Sequence, residues 1–144
     1  SFFSSCKWWI MIKIQKNNFS LDKEIDLIKS KNKEIGAIST FVGYVRNINQ
    51  NKKVNSIYLE VYKNMAFKSL EKICNESKKK WNLIDTLVIH RFGKLKVNEK
   101  IVLVATFAKH RKESNESCTY IMDYLKKEAP FWKKEFYDDE SNWL

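Results

Sequence analysis

Glycine is scarce in this chain, and that scarcity excludes several families of nucleotide-binding protein. The 144 residues include three glycines, Gly36, Gly43 and Gly93. They lie too far apart to form a P-loop or the GxGxxG turn that holds a dinucleotide. No serine stands in a GxSxG motif either, so the sequence also lacks the nucleophile turn of the α/β-hydrolases.

Metal-binding and disulfide-forming residues are equally few. The chain has two histidines and three cysteines, and Cys6, Cys74 and Cys118 are widely spaced. An odd number of isolated cysteines favours a reducing cytoplasm, and the sequence predicts neither a metal site nor another cofactor. Cys74 and Cys118 fall on the apolar faces of predicted helices, which indicates core packing.

Long hydrophobic runs are absent. No apolar stretch approaches the roughly 20 residues that cross a bilayer, so we expect no membrane partner. The aromatic residues 1–10 precede the first predicted strand, and we interpret them as a non-native or disordered extension. Residues 11–144 have the length of a single domain.

Positive charge is what the chain has in excess. It carries 27 lysines and arginines against 17 aspartates and glutamates, a formal charge of +10. Such a balance favours an anionic partner, whether nucleic acid, a phosphorylated metabolite or an acidic protein surface. Many of the lysines fall on solvated helix faces, so charge alone does not choose among these partners.

Helical and strand patterns alternate along the chain, which predicts an α+β fold with helices packed on a mixed sheet. Ser20, followed by acidic residues, marks the start of the first helix. We expect helices at about 21–31, 65–80 and 115–127, and strands at 11–15, 35–45, 57–61, 83–92 and 100–108. We predict that 46–53 is a polar loop, that Gly93 lies in a turn and that the acidic residues 138–140 are exposed.

The segment around the only proline carries the most chemistry. Lys126 and Lys133 lie seven residues apart on either side of Pro130. Proline ends a helix and pushes the preceding residue out of helical geometry, so the chain can turn here and bring both ammonium groups to one pocket. We interpret Phe131 and Trp132 as anchors that pack the turned segment, rather than as rings that stack on a substrate.

Other cationic residues follow predicted strand ends, where side chains project into clefts. Arg46 follows one such strand, and His110 and Arg111 follow another. With the two lysines they predict an anion pocket, since arginine grips phosphate or carboxylate with a planar fork and clustered lysines exchange protons more readily. Two alternatives stay open: Arg46 as a surface loop residue, and His110 as a structural hydrogen-bonding group. His90 lies inside a strand, and we interpret it as structural.

Six short motifs follow one another along the chain. They are GAISTFVGYVR at 36–46, LEVY at 59–62, HRFGKL at 90–95, HR at 110–111, MDYLK at 122–126 and APFWKKE at 129–135. Each is weak alone, but together, at these intervals, they are specific. On these motifs the chain resembles the MoaE family, the large catalytic subunits of molybdopterin synthase, from about Met11 to Trp143.

The resemblance implies sulfur transfer. The family converts cyclic pyranopterin monophosphate into molybdopterin by installing a dithiolene, and the sulfur arrives as the C-terminal thiocarboxylate of a small ubiquitin-like subunit of the MoaD type. The implied fold is an α/β hammerhead with an added antiparallel subdomain. The implied assembly is a homodimer of large subunits within a heterotetramer, with no nucleic-acid partner.

The resemblance also implies which residues form the site. Lys126 and Lys133 match the two catalytic lysines. Arg46, His110 and Arg111 match the substrate pocket, with the last two reaching in from the second large subunit. Further contacts are expected from four residues that flank these positions: Tyr44, Val45, Lys134 and Glu135.

Two departures from the family pattern concern local structure. Ser114 and Asn115 stand where the family usually has a small residue and a phenylalanine, and Asn115 is a candidate N-cap for the third helix. Asn98 stands where glycine is usual, and asparagine tolerates the left-handed conformation that a tight turn needs. Neither departure removes a predicted catalytic group.

Two other functions stay open on the sequence. The positive charge, with 5 tryptophans, 6 tyrosines and 9 phenylalanines, also suits a non-catalytic module that binds nucleic acid, although no RNP-like or helix-turn-helix signature is present. The second is a silent scaffold that binds a ubiquitin-like tail. Oligonucleotide binding with a steep salt dependence would favour the first, and partner binding without dithiolene product would favour the second.

Overall fold

The computed structural model describes residues 10–137 and 141–143, which form three helices and nine strands. The helices are α1 (Leu21–Lys29), α2 (Lys63–Trp81) and α3 (Arg111–Lys127). The strands are β1 (Ile10–Gln15), β2 (Ala37–Tyr44), β3 (Ile48–Asn49), β4 (Lys52–Val61), β5 (Asp85–Arg91), β6 (Gly93–Lys96), β7 (Lys100–Ala108), β8 (Phe131–Tyr137) and β9 (Ser141–Trp143).

The first sheet is mixed and has the strand order β1-β5-β7-β2. β1 runs parallel to β5, whereas β5 with β7 and β7 with β2 are antiparallel. Successive side chains of a strand point to opposite faces, so Leu87 and Ile89 pack on one side and Val88 on the other. Strands buried on both faces give continuous apolar runs, which is why the sequence predicted β5 and β7 well.

α1 covers one face of this sheet. Ser20 is its N-cap, and the Ser20 hydroxyl accepts a hydrogen bond from the backbone N–H of Lys23 at 3.3 Å. Ile28 is buried beside Phe19 and Phe107, and burying a side chain of this size contributes about 2 kcal/mol. The predicted start of the first helix is confirmed.

α2 and α3 cover the opposite face. Their buried apolar residues, with those of the sheet, form one cluster: Leu70, Ile73, Cys74, Val88, Val102, Val104, Cys118 and Ile121. Burial raises the pKa of Cys74 and of Cys118 to about 11. Both thiols therefore stay protonated, and the predicted core packing is confirmed.

A second, antiparallel sheet has the order β3-β4-β8-β9, with β6 also paired to β4. Its apolar core consists of Val45, Val54, Ile57, Leu59 and Leu95. β3, β6, β8 and β9 were not predicted from the sequence, because they are short or rich in lysine. The predicted loop at 46–53 contains β3 and the start of β4, and Gly93 begins β6 with a φ of +89° instead of lying in a turn. With the mixed sheet and its helices, this subdomain completes the predicted α+β arrangement.

The third helix begins at Arg111 and not at Asn115. The prediction that Asn115 caps it is wrong, because the N-cap is His110, whose side chain makes no capping hydrogen bond. Hydrogen bonds of Ser114 stabilise the start of α3 instead. The buried Ser114 hydroxyl donates to the Arg111 carbonyl at 3.0 Å, and the Ser114 carbonyl accepts from the Thr106 hydroxyl at 2.6 Å. The first of these bonds lies within the first turn of α3, while the second joins α3 to β7, and the local pattern predicted neither.

The turn before β7 contains Asn98, which has a φ of 72°. The prediction that asparagine takes the left-handed conformation is confirmed. The turn is closed by Glu99, whose side chain accepts from the backbone N–H of Lys96 at 2.7 Å.

Some predictions concern the ends of the chain. Ile10 belongs to β1, while residues 1–9 and 138–140 lie outside the described residues. Their predicted roles, as an extension and an exposed acidic tail, stay predictions. Among the helices of the described part, none has the length and apolar character that crossing a membrane requires.

Candidate active site

A small cavity of about 70 Å³ lies where the end of β2 faces β8. It is lined by Tyr44, Val45, Arg46, Ile48, Asn49, Ile57, Ile101, Lys133 and Glu135. Five of the nine predicted site residues thus meet in one chain. Larger hollows of about 470 and 420 Å³ lie along α3, but none of the nine residues lines them. Chemistry, and not size, therefore identifies the candidate site.

The end of β2 is anchored by the turn that precedes β7. Val45 is 3% exposed. Its N–H donates to the Glu99 carbonyl at 3.0 Å, and its carbonyl accepts from the Asn98 N–H at 2.9 Å. Arg46 follows this fixed residue directly, so its exposed side chain starts from a defined point on the cavity wall.

Alternation along β8 decides which lysine reaches the cavity. Lys133 pairs with Leu59 of β4 and lies on the same face as Glu135. Lys134 lies on the other face, where its ammonium is 5.5 Å from the ring centroid of Phe136. Within one chain, Lys134 therefore does not line the cavity.

Two aromatic contacts hold the start of β8. The Phe131 ring stacks on the His90 imidazole with 3.7 Å between centroids, and Trp132 meets Tyr62 edge to face at 4.9 Å. Burial lowers the pKa of His90 to about 4, against the opposing effect of its hydrogen bond to the Arg91 carbonyl. The imidazole is thus neutral near pH 7. The predicted structural role of His90 and the packing of Phe131 are confirmed, whereas Trp132 stays 46% exposed and its role as an anchor stays a prediction.

The carboxylate of Glu135 is the buried polar group of the cavity, with a side chain only 5% exposed. Its Oε1 accepts from the Asn49 amide at 2.8 Å and from the Tyr137 hydroxyl at 2.5 Å. Its Oε2 lies 3.8 Å from the Nζ of Lys133. Asn49 and Tyr137 were not among the residues predicted from the sequence. Recognising β8 would have placed Tyr137 on the face of Glu135, but nothing in the local pattern pointed to Asn49.

The remaining predicted cations lie away from this cavity in the single chain. Lys126 is exposed in the last turn of α3. His110 and Arg111 are exposed where α3 begins, and His110 lines a separate hollow of about 80 Å³. In a single chain, Arg46 and Lys133 thus line the same cavity, whereas Lys126, His110 and Arg111 lie outside it.

Gly36 fixes the backbone that leads into His110. A Cβ on Gly36 would lie 2.2 Å from the carbonyl oxygen of Lys109, and the Gly36 N–H donates to the Ala108 carbonyl at 2.9 Å. Any side chain would push this backbone away, so the first glycine of the motif at 36–46 has a steric reason.

The chemistry that the cavity offers is cationic. Across the described ranges, no three histidine, cysteine, aspartate or glutamate side chains cluster as metal ligands would. Instead, Arg46 and the partly exposed Lys133 line the cavity together with the hydrogen-bonded carboxylate of Glu135. Such an arrangement can bind an anion and stabilise developing negative charge.

Comparisons with known proteins agree with the motifs. A family model described as MoaE protein matches residues 14–128. The molybdopterin synthase catalytic subunit of Ralstonia nicotianae is 44% identical over 133 residues, which are 92% of this chain and 76% of that protein. Among solved structures, the molybdopterin biosynthesis MoaE protein of Burkholderia ambifaria has a TM-score of 0.82 and 43% identity, over 94% of this chain and 88% of that one. Molybdopterin synthase from Staphylococcus aureus has a TM-score of 0.85 and 30% identity, over 92% and 95%.

These relatives bear on the predictions made from the sequence. The family resemblance, the hammerhead-type α+β class and the enzyme class, a sulfurtransferase of molybdenum cofactor biosynthesis, are confirmed. The non-catalytic alternatives are correspondingly disfavoured. The chain therefore belongs to the MoaE family, whose curated relatives are catalytic subunits of molybdopterin synthase.

Proposed function

We propose that the cavity between β2 and β8 is where this chain moves sulfur to a pterin phosphate. The donor is the C-terminal thiocarboxylate of a small MoaD-type ubiquitin-like subunit. The acceptor is cyclic pyranopterin monophosphate, and the product is the dithiolene of molybdopterin. The observation that carries the proposal is the meeting of Arg46 and Lys133 at one cavity mouth.

Two cations are what this reaction needs, because both reactants are anions. A phosphate and a thiocarboxylate repel one another, and two unit charges about 4 Å apart interact by roughly 4 kcal/mol at an effective dielectric constant of 20. Positive side chains that are already in place offset this repulsion without reorganisation during the reaction.

The residues divide the work by their chemistry. Lys133 orients the substrate and exchanges a proton, which an ammonium can do and a guanidinium cannot. Lys126 binds the thiocarboxylate end and stabilises the charge that develops as sulfur attacks and the acyl group passes to water. Arg46, His110 and Arg111 hold the phosphate and the pterin.

The complete site requires a second copy of this chain. His110 and Arg111 lie at the exposed start of α3, outside the cavity of their own subunit. In a homodimer they reach the cavity of the partner subunit. The backbone N–H groups at the start of α3 also favour the binding of an anion there. One small subunit at each end then makes a heterotetramer.

The proposed location is the cytoplasm. The two described cysteines, Cys74 and Cys118, are buried and unpaired, as in proteins of reducing compartments. Cell fractionation tests this location, and recovery of the protein in an extracytoplasmic fraction would contradict it.

The function is tested by reconstitution from the purified chain, a thiocarboxylated small subunit and cyclic pyranopterin monophosphate. Wild-type protein should form molybdopterin, and Lys133→Ala should lose about a hundredfold or more of the rate. Lys94→Ala is the matched control, since Lys94 is an exposed lysine on neighbouring β6, outside the cavity lining. Partner binding without any product in the wild type would overturn the proposal.

A further inference from the structure

Glu135 is held more firmly than a simple counter-ion requires. Its side chain is 5% exposed, and its Oε1 already accepts two hydrogen bonds, from Asn49 at 2.8 Å and from Tyr137 at 2.5 Å. A buried carboxylate must have its lone pairs satisfied, and two donors on one oxygen fix the orientation of the whole group. Oε2 is the oxygen nearer to the ammonium of Lys133.

Lys133 lies beside Oε2 of Glu135. It lies two residues before Glu135 on the same face of β8, and both residues pair with β4, Lys133 with Leu59 and Glu135 with Ile57. The strand therefore fixes the spacing of the two side chains. The Nζ of Lys133 lies 3.8 Å from Oε2, and its side chain is 44% exposed.

The length of this contact is informative. A charge-assisted N–H···O bond is normally about 2.7–2.9 Å long, so 3.8 Å is an ion pair that has not closed. The donors on Oε1 share the negative charge of the carboxylate and reduce its pull on the ammonium. Lys133 is thereby oriented by Glu135 while its ammonium remains available to an incoming anion.

We propose that Tyr137 and Asn49 are positioning residues for Lys133, which they influence through Glu135 by keeping the ion pair open. This inference rests on the proposed function for the use of Lys133, but the geometry that carries it is independent of the substrate. Without the restraint on Oε1, the carboxylate is free to turn and bond the ammonium directly, which would withdraw it from the substrate.

The neighbouring charges are consistent with this role. The hydrogen bond to Glu135 raises the pKa of Tyr137, against the opposing effects of Asn49 and Lys52, so the phenol remains a donor at neutral pH. The ammonium of Lys52 lies 5.3 Å from the centroid of the Tyr137 ring. Arg46 and Tyr44 line the same cavity as the pair.

The test follows the Lys133 amine directly. The rate of Lys133 acetylation by acetic anhydride is measured against pH by peptide mass spectrometry in wild type, Tyr137→Phe and Glu135→Gln. Closing the ion pair in Tyr137→Phe should move the half-reaction pH of Lys133 up by about half a unit or more, while loss of the counter-charge in Glu135→Gln should move it down by a similar amount. Lys94 in the same digests is the internal control and should not shift.

Turnover of the same variants separates this inference from the proposed function. Tyr137→Phe should lower kcat/KM for the pterin by about five- to tenfold. Tyr58→Phe removes a hydroxyl from β4 outside the cavity lining and should leave it unchanged. Unshifted acetylation, or shifts in the same direction for both variants, would overturn the inference. Opposite shifts with wild-type turnover would support the positioning role and overturn instead the catalytic role proposed for Lys133.

Discussion

At the residue scale, the site depends on the face of β8 that each side chain occupies. Lys133 and Glu135 line the cavity, while Lys134 lies beside Phe136 on the other face. Residue type and the motif were enough to predict Lys133 and Arg46. They were not enough to predict Asn49, because its contact with Glu135 joins residues 86 positions apart in sequence.

Replacing Lys133 by arginine tests whether the residue does more than supply charge. Arginine keeps the positive charge, but its planar guanidinium does not release a proton under ordinary conditions. We expect Lys133→Arg to lose about a hundredfold of the turnover rate, the usual contribution of a proton-transferring group. The measurement is product formation at saturating substrate. Full activity would mean that Lys133 supplies only positive potential.

His90 links the folded state to pH. Its pKa is lowered from 6.5 to about 4 by burial, so the unfolded chain takes up a proton at higher pH than the folded chain does. The contribution of His90 to stability is complete above pH 6.5 and declines as the pH falls towards 4. In His90→Gln this decline is absent, so the stability gap between wild type and variant should shrink by about 3 kcal/mol from pH 7 to pH 4.

Urea unfolding of both proteins across this range measures the gap. Asp85 acts in the opposite direction, because burial raises its pKa to about 6 and its protonation stabilises the fold as the pH falls. Asp85 is present in both proteins, so its effect cancels in the difference. A gap that does not change with pH would contradict the buried, neutral state of His90.

At the scale of elements, the sequence predicted the helices and strands whose burial gives a clear apolar pattern. It did not predict the strands whose positions depend on pairing with another strand. β5 and β7 have unbroken apolar runs, and α1 has a capping serine, so all three were predicted. β3 and β6 have two and four residues, too few for any periodicity. β8 has two adjacent lysines directly before its buried glutamate, a pattern typical of a solvated segment unless the pairing with β4 is known.

Gly36 and Gly43 provide a matched pair of substitutions on β2 and the residue before it. A Cβ at Gly36 would meet the Lys109 carbonyl oxygen at 2.2 Å, whereas at Gly43 it would meet a side-chain carbon of Val102 at 3.0 Å. A backbone carbonyl cannot move aside as a side-chain methyl group can. Gly36→Ala should therefore lower the free energy of unfolding by about 3 kcal/mol and Gly43→Ala by about 1 kcal/mol. Thermal unfolding measures both, and equal losses would contradict the close approach at Gly36.

At the scale of the whole molecule, the proposed site is shared between two subunits. Lys133→Ala and His110→Ala would each inactivate a homodimer, since each removes one group from both cavities. A mixed dimer would hold one cavity with both changes and one with neither. Random exchange of subunits should therefore restore about a quarter of the wild-type activity when the two inactive variants are mixed.

Turnover after co-refolding of the two variants measures this restoration. Co-refolded mixtures of each variant with itself are the controls and should stay inactive. No recovery, in a mixture where mass measurement confirms the mixed dimer, would show that His110 and Lys133 serve the same subunit.

The most direct test of the account is the turnover of Lys126→Ala in the reconstituted system, with Lys127→Ala as the control one residue further along α3. If Lys126 and Lys133 serve one anion site in the assembled enzyme, Lys126→Ala should lose about a hundredfold or more of product formation, with its melting temperature and oligomeric mass unchanged. Product formation within about twofold of wild type would contradict the claim that cations around the bend at Pro130 bring the two anionic reactants together.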